Sequence, residues 1–458
     1  MLRPISGWRP ISQYKPKQLM TEKNKNMKSV IYTLALAMLA LLSSCSDDKV
    51  LAEVSTDLKI DYPTNVKNLK VVSEKIEFTN LTSGEKTSVA RPGTIRLPEG
   101  LYDCVYSADV TYNNGDGTEV ATAKGHLTGK AENITLAGAS ETLRIETFLS
   151  AANEDFIFEE IFFAGTLRAS GSQYYGDGYI KIFNNTDHVL YADGLAFCES
   201  KFKSVLYFDY SPDIRKDTFT VWSVYVIPGN GTEHPVMPGK SLLICDTGID
   251  HRVANPNSFD LSKADFEWYD ISTSPSHLDI DSPTVPNLDK WYCYTLSFYV
   301  LHNRGFTSFA LARIPKNITK EQYLKDYLYT YYYTMYLPQG TFPMKQTAYK
   351  IPNAWIVDGV NCSVQSSRLW NILPPSVDAG WTHVGQVDHD KTRYFRSIRR
   401  KLQFVDGKGI MHLQDTNNST EDFNTECIPS VIEEQGTAIS ADGTKASTHT
   451  YDGVTPKK

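Results

Sequence analysis

Short runs of alternating apolar and polar residues, separated by turn residues, fill most of the chain. Residues 75–79 and 179–183 are two such runs, and Asn184 and Asn185 end the second. A period of two predicts strands with one buried face, because successive side chains of a strand point to opposite faces. Asn suits strand ends because its side chain bonds nearby backbone. The pattern therefore predicts a mainly β protein.

We interpret these runs as the strands of two β-sandwiches. Strand-like runs at roughly 8–12-residue spacing indicate a small immunoglobulin-like sandwich over residues 65–148. The second sandwich is predicted over residues 149–435. Its opening half is 156–245 and its closing half is 355–430. Residues 246–354 then form a large insertion, because the span is too long for one simple sandwich.

Short motifs follow one another along the second predicted domain. They are EI at 160–161, YIKIFN at 179–184, VLYADGL at 189–195, MPGKSLLI at 237–244, WIVDGV at 355–360, SIRR at 397–400 and DTNNSTEDF at 415–423. Their order resembles that of the lamin-tail domain, an immunoglobulin-like sandwich. Lys181 departs from that family, which usually carries Glu at the position. The resemblance implies that the two halves belong to one sandwich.

The first predicted domain carries FTNLTSGE at 78–85 and GTIRLPEGLYDCVYS at 93–107. These segments resemble prealbumin-like domains, whose usual role is as a stalk. The order of stalk, interrupted sandwich and the insertion segment DSPTVPNL at 281–288 resembles a family of Bacteroidota surface lipoproteins, the domain of unknown function 4876 family. That resemblance covers about 65–435. It implies a surface lipoprotein, often encoded near TonB-dependent receptors, and it supplies no catalytic or binding residues.

The first 44 residues contain a predicted targeting signal. Met27 is followed by Lys28 and an apolar run at 30–42, which is too short to span a bilayer and is typical of a secretion signal. The sequence Leu-Ser-Ser-Cys ending at Cys45 resembles the bacterial lipobox, which implies cleavage before Cys45 and lipidation of its thiol. A plain signal peptide with an incidental Cys is the alternative. Met27 is the expected start, because residues 1–26 would bury the charged end of the signal.

Ser46, Asp47 and Asp48 come directly after the predicted lipidation site. An acidic pair there resembles the surface-export signal of Bacteroidota lipoproteins. It implies an outer-membrane protein held by a lipid anchor and facing the cell exterior. A solvated acidic linker is the alternative, and residues 45–64 as a whole are predicted to form a polar tether.

Composition indicates a folded extracellular protein. Aromatic residues make up 12% and apolar residues 41% of the chain, enough for a sizeable core. Residues 1–44 carry a net charge of +6, so the chain after cleavage carries −13 instead of −7. An acidic chain without basic clusters is a poor nucleic-acid binder, and no nucleic-acid partner is expected. Residues 436–458 are predicted to be a flexible tail.

Six cysteines remain after Cys45, and none lies in a C-x-x-C pair. Zinc-ribbon and thioredoxin-like sites are therefore excluded. Disulfides form outside the cytoplasm, but wide spacing in strand-like contexts suits buried free thiols equally well.

Motifs that carry chemistry are absent from the sequence. There is no H-E-x-x-H, G-x-S-x-G, P-loop or G-x-G-x-x-G. The residues between His383 and Asp390 offer imidazoles and carboxylates for a divalent metal, but a polar loop is the favoured interpretation. Asp279, Asp281 and Asn287 suit a calcium loop, with a capped turn favoured. Residues 415–418 are interpreted as a structural turn. No catalytic residue, metal or cofactor is expected.

The tyrosine-rich segment of the insertion is the best candidate for recognition. Thr319 to Gln322 form a capping box, and a helix is predicted over 323–336. Helical spacing puts Leu324, Leu328, Tyr331 and Met335 on the buried face. The exposed binding candidates are then Tyr329, Tyr332, Tyr333 and Tyr336, since Tyr offers a large apolar ring with a polar tip. The alternative is that these tyrosines pack the insertion against the sandwich.

Two classes of function follow. The first is a non-enzymatic binding or accessory lipoprotein serving a TonB-dependent importer, with an outer-membrane receptor as partner and an unknown ligand. The second is a hydrolase acting on surface polymers through dispersed carboxylates, since glycosidases need only two carboxylates at a set separation. A deep cleft with two facing carboxylates favours the hydrolase, and a shallow aromatic face favours binding.

Overall fold

The computed structural model describes residues 52–64, 67–114, 121–138, 142–151, 155–271, 279–295, 298–405, 409–415 and 417–436. The predicted signal peptide, Cys45, Ser46, Asp47 and Asp48 lie outside the described residues, as do residues 437–458 of the predicted tail. Within the described residues, no helix has the length and hydrophobicity needed to cross a membrane.

The N-terminal part of the chain forms one seven-stranded sheet in the order β3-β2-β5-β6-β7-β1-β4. Its strands are β1 (Glu53–Asp61), β2 (Lys67–Asn80), β3 (Lys86–Val89), β4 (Gly93–Pro98), β5 (Gly100–Asn114), β6 (Ala121–Leu136) and β7 (Thr142–Ala151). Ile76 and Phe78 of β2 share a buried core with Ile95 and Leu97 of β4, at the other end of the strand order. The sheet therefore folds over on itself to enclose that core.

Strand β1 corrects the predicted tether. Residues 53–61 lie within the segment predicted to be a polar linker, yet they pair in parallel with β7, with Leu58 opposite Leu143. Val54 and Leu58 are buried in the core of the sheet. The alternating burial of EVSTDLKID is a strand pattern, and its polar composition on the outer face concealed it.

The second part of the chain is a sandwich of two large sheets. One has the order β15-β14-β9-β8-β21-β24, and the other β18-β19-β12-β11-β17-β20 with β16 beside β12. The strands of this part are β8 (Phe156–Phe162), β9 (Tyr179–Asn184), β10 (Leu190–Tyr191), β11 (Leu195–Ser200), β12 (Thr218–Val226), β13 (Pro235–Val236), β14 (Ser241–Cys245), β15 (Phe266–Glu267), β16 (Asp289–Cys293), β17 (Phe309–Arg313), β18 (Leu328–Leu337), β19 (Gly340–Pro352), β20 (Ile356–Val360), β21 (Ser397–Arg400), β22 (Leu402–Val405), β23 (Met411–Leu413) and β24 (Phe423–Cys427).

Three short α-helices and four 3-10 turns complete the described residues. The helices are α1 (Lys320–Asp326), α2 (Ser419–Asp422) and α3 (Ser430–Gln435), and the 3-10 turns are His251–Val253, Asn353–Trp355, Gln365–Ser367 and Lys391–Arg393. The structure is mainly β, which confirms the predicted fold class.

The core of the sandwich is aromatic and lies between the two sheets. Phe158 of one sheet meets Phe197 of the other edge-to-face, with ring centres 6.4 Å apart. Phe197 stacks on Trp268 at 5.8 Å and on Phe309 at 6.0 Å. Aromatic pairs at such distances add to the stabilisation that burial gives.

The two predicted halves of the second sandwich share one sheet. Ile180 and Phe183 lie on β9 and Ile398 on β21, and both strands flank β8. Ile398 pairs with Ile161, and β24, which starts at Phe423, pairs with β21.

Residues 246–354 are not a separate appendage to this sandwich. Strand β17 lies inside the second sheet, between β11 and β20, and β19 pairs with β12. The segment predicted as an insertion therefore supplies strands that the second sheet requires. Buried apolar residues such as Phe309 and Leu311 explain this, because they fill the space between the sheets.

The predicted tyrosine helix is wrong over most of its length. The capping box at Thr319 and Gln322 is present, but the helix ends at Asp326. Residues 328–337 form β18, which pairs with β19 in antiparallel register from Leu328–Tyr349 to Leu337–Gly340. Tyr and Thr favour strands, and a partner strand with ten facing residues outweighs the helical spacing of four apolar positions.

All six cysteines in the described part of the chain are buried free thiols. They are Cys104, Cys198, Cys245, Cys293, Cys362 and Cys427. Of the two alternatives that the sequence left open, the structure therefore has the free thiols.

Candidate functional site

A cavity of about 630 Å³ opens beside the β8–β9 connection of the sandwich. It is bounded by the β8–β9 connection, the loop that follows β14, the stretch at Asp279 and the segment that follows β16. Its lining combines carboxyl groups with aromatic rings: Arg168, Tyr174, Tyr175, Gly176, Asp246, Thr247, Ile249, His251, Asp279, Ile280, Tyr294, Phe298, Tyr299 and Val300. We call it the tyrosine–aspartate pocket.

Asp246 is the buried carboxyl group of this pocket. It follows β14 directly, and its backbone N–H donates to Gly178 O at 2.9 Å, which fixes it at the end of the sheet. The residue is only 5% exposed. Burial raises its pKa well above the usual range, and the charge of Asp279 raises it further. The Thr247 hydroxyl, which donates to Asp246 Oδ1 at 3.3 Å, and the side chain of Trp268 oppose that rise.

Asp279 is the second carboxyl group of the lining. Its Oδ2 accepts the backbone N–H of Asp270 at 2.8 Å, and its Oδ1 accepts that of Ile280 at 2.9 Å. Burial raises its pKa to about 6, with smaller contributions from the charges of Asp270 and Asp281. These two hydrogen bonds from backbone N–H groups hold the Asp279 carboxyl in place. Asp279 is therefore a structural cap as well as part of the pocket wall.

Tyr174 and His251 form a hydrogen-bonded pair in the wall. His251 Nε2 lies 2.8 Å from the carbonyl oxygen of Thr247, which can only accept, so Nε2 carries the proton. Nδ1 is then the acceptor for the Tyr174 hydroxyl at 2.8 Å. Burial lowers the pKa of His251, which favours the neutral ring. This pair therefore fixes the wall without adding a positive charge to it.

Aromatic rings form the rest of the pocket. Tyr175 is 61% and Tyr294 43% exposed, so their rings stand at the mouth. Tyr299 is buried, and its hydroxyl donates to Glu199 Oε2 at 2.5 Å. Arg168 lies over the Tyr174 ring at 4.7 Å from its centre. A concave site with apolar rings and a few polar groups is the usual form of a small-molecule site.

The predicted recognition residues lie elsewhere, on β18. Tyr329, predicted to be exposed, is 4% exposed and donates its hydroxyl to Pro212 O at 2.6 Å. Tyr333 is half-buried against Phe208, with ring centres 4.6 Å apart. Tyr332 and Tyr336 are exposed at 50% and 77%. Because side chains alternate along a strand, Tyr329 and Tyr333 lie on one face of β18 and Tyr332 and Tyr336 on the other. The helical spacing did not predict this division.

The buried face predicted for the helix also changes. Tyr331 is buried as expected, but Leu328 is 48% exposed. Leu324 and Met335 are partly buried. Packing of Tyr329 and Tyr331 in the second core agrees with the alternative in which tyrosines pack against the sandwich, while Tyr332 and Tyr336 leave a smaller surface for recognition.

The two segments that were weighed as metal sites, 383–390 and 279–287, use their carboxyl groups in hydrogen bonds and ion pairs within the protein. Asp388 pairs with Arg304, and Asp390 accepts the backbone N–H of Thr392 at 2.9 Å. Asp281 Oδ1 accepts Asn287 Nδ2 at 3.0 Å, which agrees with the capped turn. In the closing motif, Asn418 accepts the N–H of Thr420 at 3.1 Å, as a structural turn requires.

Among the described residues, one group has the spacing of metal ligands: Asp193, Glu233 and His234. Asp193 Oδ1 already accepts the backbone N–H of Gly231 at 3.1 Å and of Glu233 at 2.9 Å, and its Oδ2 accepts that of His234 at 2.9 Å. These bonds help to lower the pKa of Asp193 and anchor the 229–234 loop. A structural role accounts for the arrangement.

Most of the pocket was not predicted. The sequence indicates Asp279 only as part of a capped turn or, less favoured, a calcium loop, and it does not indicate Asp246, Tyr175, Tyr294 or His251. A signal was present at Asp246, since a carboxylate directly follows the buried strand β14. Nothing in the linear sequence shows that segments about 130 residues apart line one cavity.

The sequence profile of a family described as "Protein of unknown function (DUF4876)" matches residues 237–430. This match confirms part of the resemblance predicted from the motifs. A crystal structure of a DUF4876 family protein from Bacteroides thetaiotaomicron VPI-5482 is similar in fold, with a TM-score of 0.51 and 21% identity. The similarity covers 82% of this chain and 95% of that one. No curated protein matches this chain.

Proposed function

We propose that this protein is a member of the DUF4876 family and a lipid-anchored binding module on the cell surface. In this proposal Cys45 carries the lipid, and Ser46, Asp47 and Asp48 direct export to the exterior. The ligand enters the tyrosine–aspartate pocket, and an outer-membrane receptor of TonB-dependent uptake is the partner.

One observation carries the binding role. The pocket places a 5%-exposed carboxyl, Asp246, in one cavity with the exposed rings of Tyr175 and Tyr294. A buried polar group gives direction to a ligand, and aromatic faces supply contact area. The cavity volume of about 630 Å³ is in the range of small-molecule sites.

The pocket test uses a thermal-shift screen of amines, amino acids and mono- and disaccharides, followed by calorimetry of the compounds that stabilise the protein. Asp246→Asn and Tyr175→Ala should each weaken binding, by about 1–2 kcal/mol or more if the residue is an anchor. Tyr336→Ala is the matched control, because it removes an exposed tyrosine ring outside the pocket. Unchanged affinity in both pocket variants would place the binding outside the pocket, and an equal loss in all three variants would mean that the effect is not specific to it.

The export test uses Asp47→Ala combined with Asp48→Ala. Protease added to whole cells should cleave the wild-type protein and spare the double variant. A variant that stays as accessible as the wild type would remove the export signal from the proposal and leave the pocket untouched.

The exposed face of the β18–β19 hairpin is the surface we propose for the receptor. Tyr332 and Tyr336 stand on it, and residues 327–344 carry no charged side chain. Lys345 faces Tyr332 across the hairpin, with its Nζ 5.9 Å from the centre of that ring. Exposed aromatic rings are typical of contact surfaces. Pull-down of membrane partners from native cells, with the wild type and with Tyr336→Ala, tests this role.

A hydrolase is the second candidate, and the two carboxyls of the pocket favour it. Asp246 has the raised pKa that a general acid needs at neutral pH. Asp279 remains the second carboxyl, and a glycosidase needs two. Release of reducing sugar from surface polysaccharides by the wild type, and not by Asp246→Asn, would establish this candidate in place of simple binding.

A further inference from the structure

We infer that the tyrosine–aspartate pocket recognises an organic cation: an ammonium group carried on an apolar or aromatic body. This inference rests on the proposed function, that the pocket takes a small ligand, and it names the chemical class of that ligand.

The first step of the argument is the imbalance of charge in the wall. Asp246 and Asp279 both line the cavity, and Asp177 lies buried close enough to affect Asp246. Among the described residues of the lining, Arg168 is the one Lys or Arg side chain. It is exposed, lies over Tyr174 and donates to Ala254 O at 3.3 Å. Burying carboxylates without a compensating charge is costly.

The second step is what a ligand must supply. A neutral sugar donates hydrogen bonds to the carboxyls but brings no positive charge. An ammonium group does both, and its charge-assisted bonds to carboxylates are stronger than neutral ones. The electrostatics of the wall therefore favour a cation over a sugar of equal size.

The third step is the aromatic lining. Tyr174, Tyr175, Tyr294, Phe298 and Tyr299 border the same cavity as the two carboxyls. Ring faces attract cations through their negative quadrupole, and they also cover the apolar body of an amine. Aromatic rings together with carboxyl groups are thus two independent features that point to one ligand class.

Calorimetry of the full-length protein with three probes tests the inference. Benzylamine is the cation, benzyl alcohol is its neutral isostere, and methyl glucoside is the neutral polyhydroxylated probe. At pH 7.5 benzylamine should bind at least about tenfold more tightly than benzyl alcohol, because only the cation pairs with the carboxylates. Equal affinity, or preference for the glucoside, would overturn the inference and leave the proposed binding role standing. If none of the three probes binds, the inference is overturned, and the wider thermal-shift screen decides separately whether the pocket takes a small ligand.

Substitution locates the effect. Asp246→Asn should weaken benzylamine about tenfold and leave benzyl alcohol within about twofold, since a bound ammonium group favours the ionised carboxylate and an amide cannot ionise. Asp209→Asn is the matched control, because Asp209 is exposed and does not line the cavity. An equal loss in both variants would make the effect a general one of net charge and contradict the inference.

A pH series keeps the inference testable if Asp246→Asn fails to fold. Lys290, one of the charged groups around the carboxyls, is paired with Asp270 at 2.7 Å. The charged and titratable groups there are Arg168, Tyr174, Tyr175, Asp177, Cys245, His251, Glu267, Asp270, Asp281, Lys290, Tyr294 and Tyr299. Benzylamine affinity should rise about tenfold from pH 5 to pH 8 as the carboxyls ionise, while benzyl alcohol affinity stays level. A level profile for benzylamine would overturn the inference.

Discussion

Arg400 offers the sharpest test of how the second sandwich is held together. Its side chain is 1% exposed and lies among three carboxylates. Its Nη2 donates to Asp358 Oδ2 at 2.6 Å and its Nη1 to Asp415 Oδ1 at 3.1 Å, while its Nε donates to Phe158 O at 2.6 Å. The residue therefore connects β21 to β20, to β8 and to the closing motif.

The expected loss of stability follows from the buried carboxylate that Arg400→Met leaves without its partner. Asp358 is almost fully buried, and without the guanidinium its charge has no counter-ion at 2.6 Å. Removing one partner of a buried ion pair costs about 3–5 kcal/mol. Arg400→Lys keeps the charge but loses the planar fork, so we expect a smaller loss of about 2–3 kcal/mol.

Differential scanning calorimetry measures the outcome. For a domain of this size, the Arg400→Met loss corresponds to a decrease in Tm of roughly 6–15 °C. Adding Asp358→Asn should restore part of the stability, because the orphaned charge is then gone. Arg252→Met is the control: this exposed arginine also pairs with an Asp, at 2.7 Å, and its loss should leave Tm nearly unchanged.

A Tm for Arg400→Met within about 2 °C of the wild type would refute the reasoning, since that shift is too small for an orphaned buried charge. The same holds if Asp358→Asn fails to recover any stability in the double variant. The contacts of Arg400 would then contribute little to the free energy of unfolding.

Three further outcomes are expected. Cys45→Ala should move the protein from the membrane fraction to the soluble fraction, and retention would contradict lipidation. Tyr331→Ala, which empties a buried site, should cost about 3–5 kcal/mol in urea unfolding, while Tyr332→Ala and Tyr336→Ala should stay within about 0.5 kcal/mol. Burial raises the pKa of Glu199 from 4.5 to about 7. Its contribution to stability is therefore full below pH 4.5 and lost as pH rises through 7, by about 3 kcal/mol, and Glu199→Gln should flatten that profile.

The strands of both sandwiches were largely predictable because they follow a local rule. Runs such as 75–79 and 179–183 alternate between apolar and polar residues, and each lies in a strand, as the pattern indicates. Where a polar outer face masked the alternation, as at 53–61, the strand was taken for a linker. Its pairing with β7, more than 80 residues away, is invisible to a local rule.

The tyrosine segment shows how a local rule fails when two periods compete. Leu324, Leu328, Tyr331 and Met335 satisfy helical spacing, while Tyr329, Tyr331 and Tyr333 satisfy strand spacing. The choice depends on whether a partner strand exists, and β19 lies directly after the turn at Gly340. Tertiary pairing decided the outcome, and so the capping box marked a real helix of only seven residues.

The pocket lay beyond local prediction because its members come from four separate segments. Chemistry at such a site arises where sheet ends and connections converge, and Asp246 occupies the end of β14 for that reason. The same geometry is compatible with both candidate functions, ligand binding and hydrolysis. A buried carboxyl beside aromatic rings binds a cation when ionised and donates a proton when neutral. The charge of the ligand that enters therefore decides whether the carboxyl group binds as an anion or donates a proton. The neutral and cationic probes distinguish these two cases.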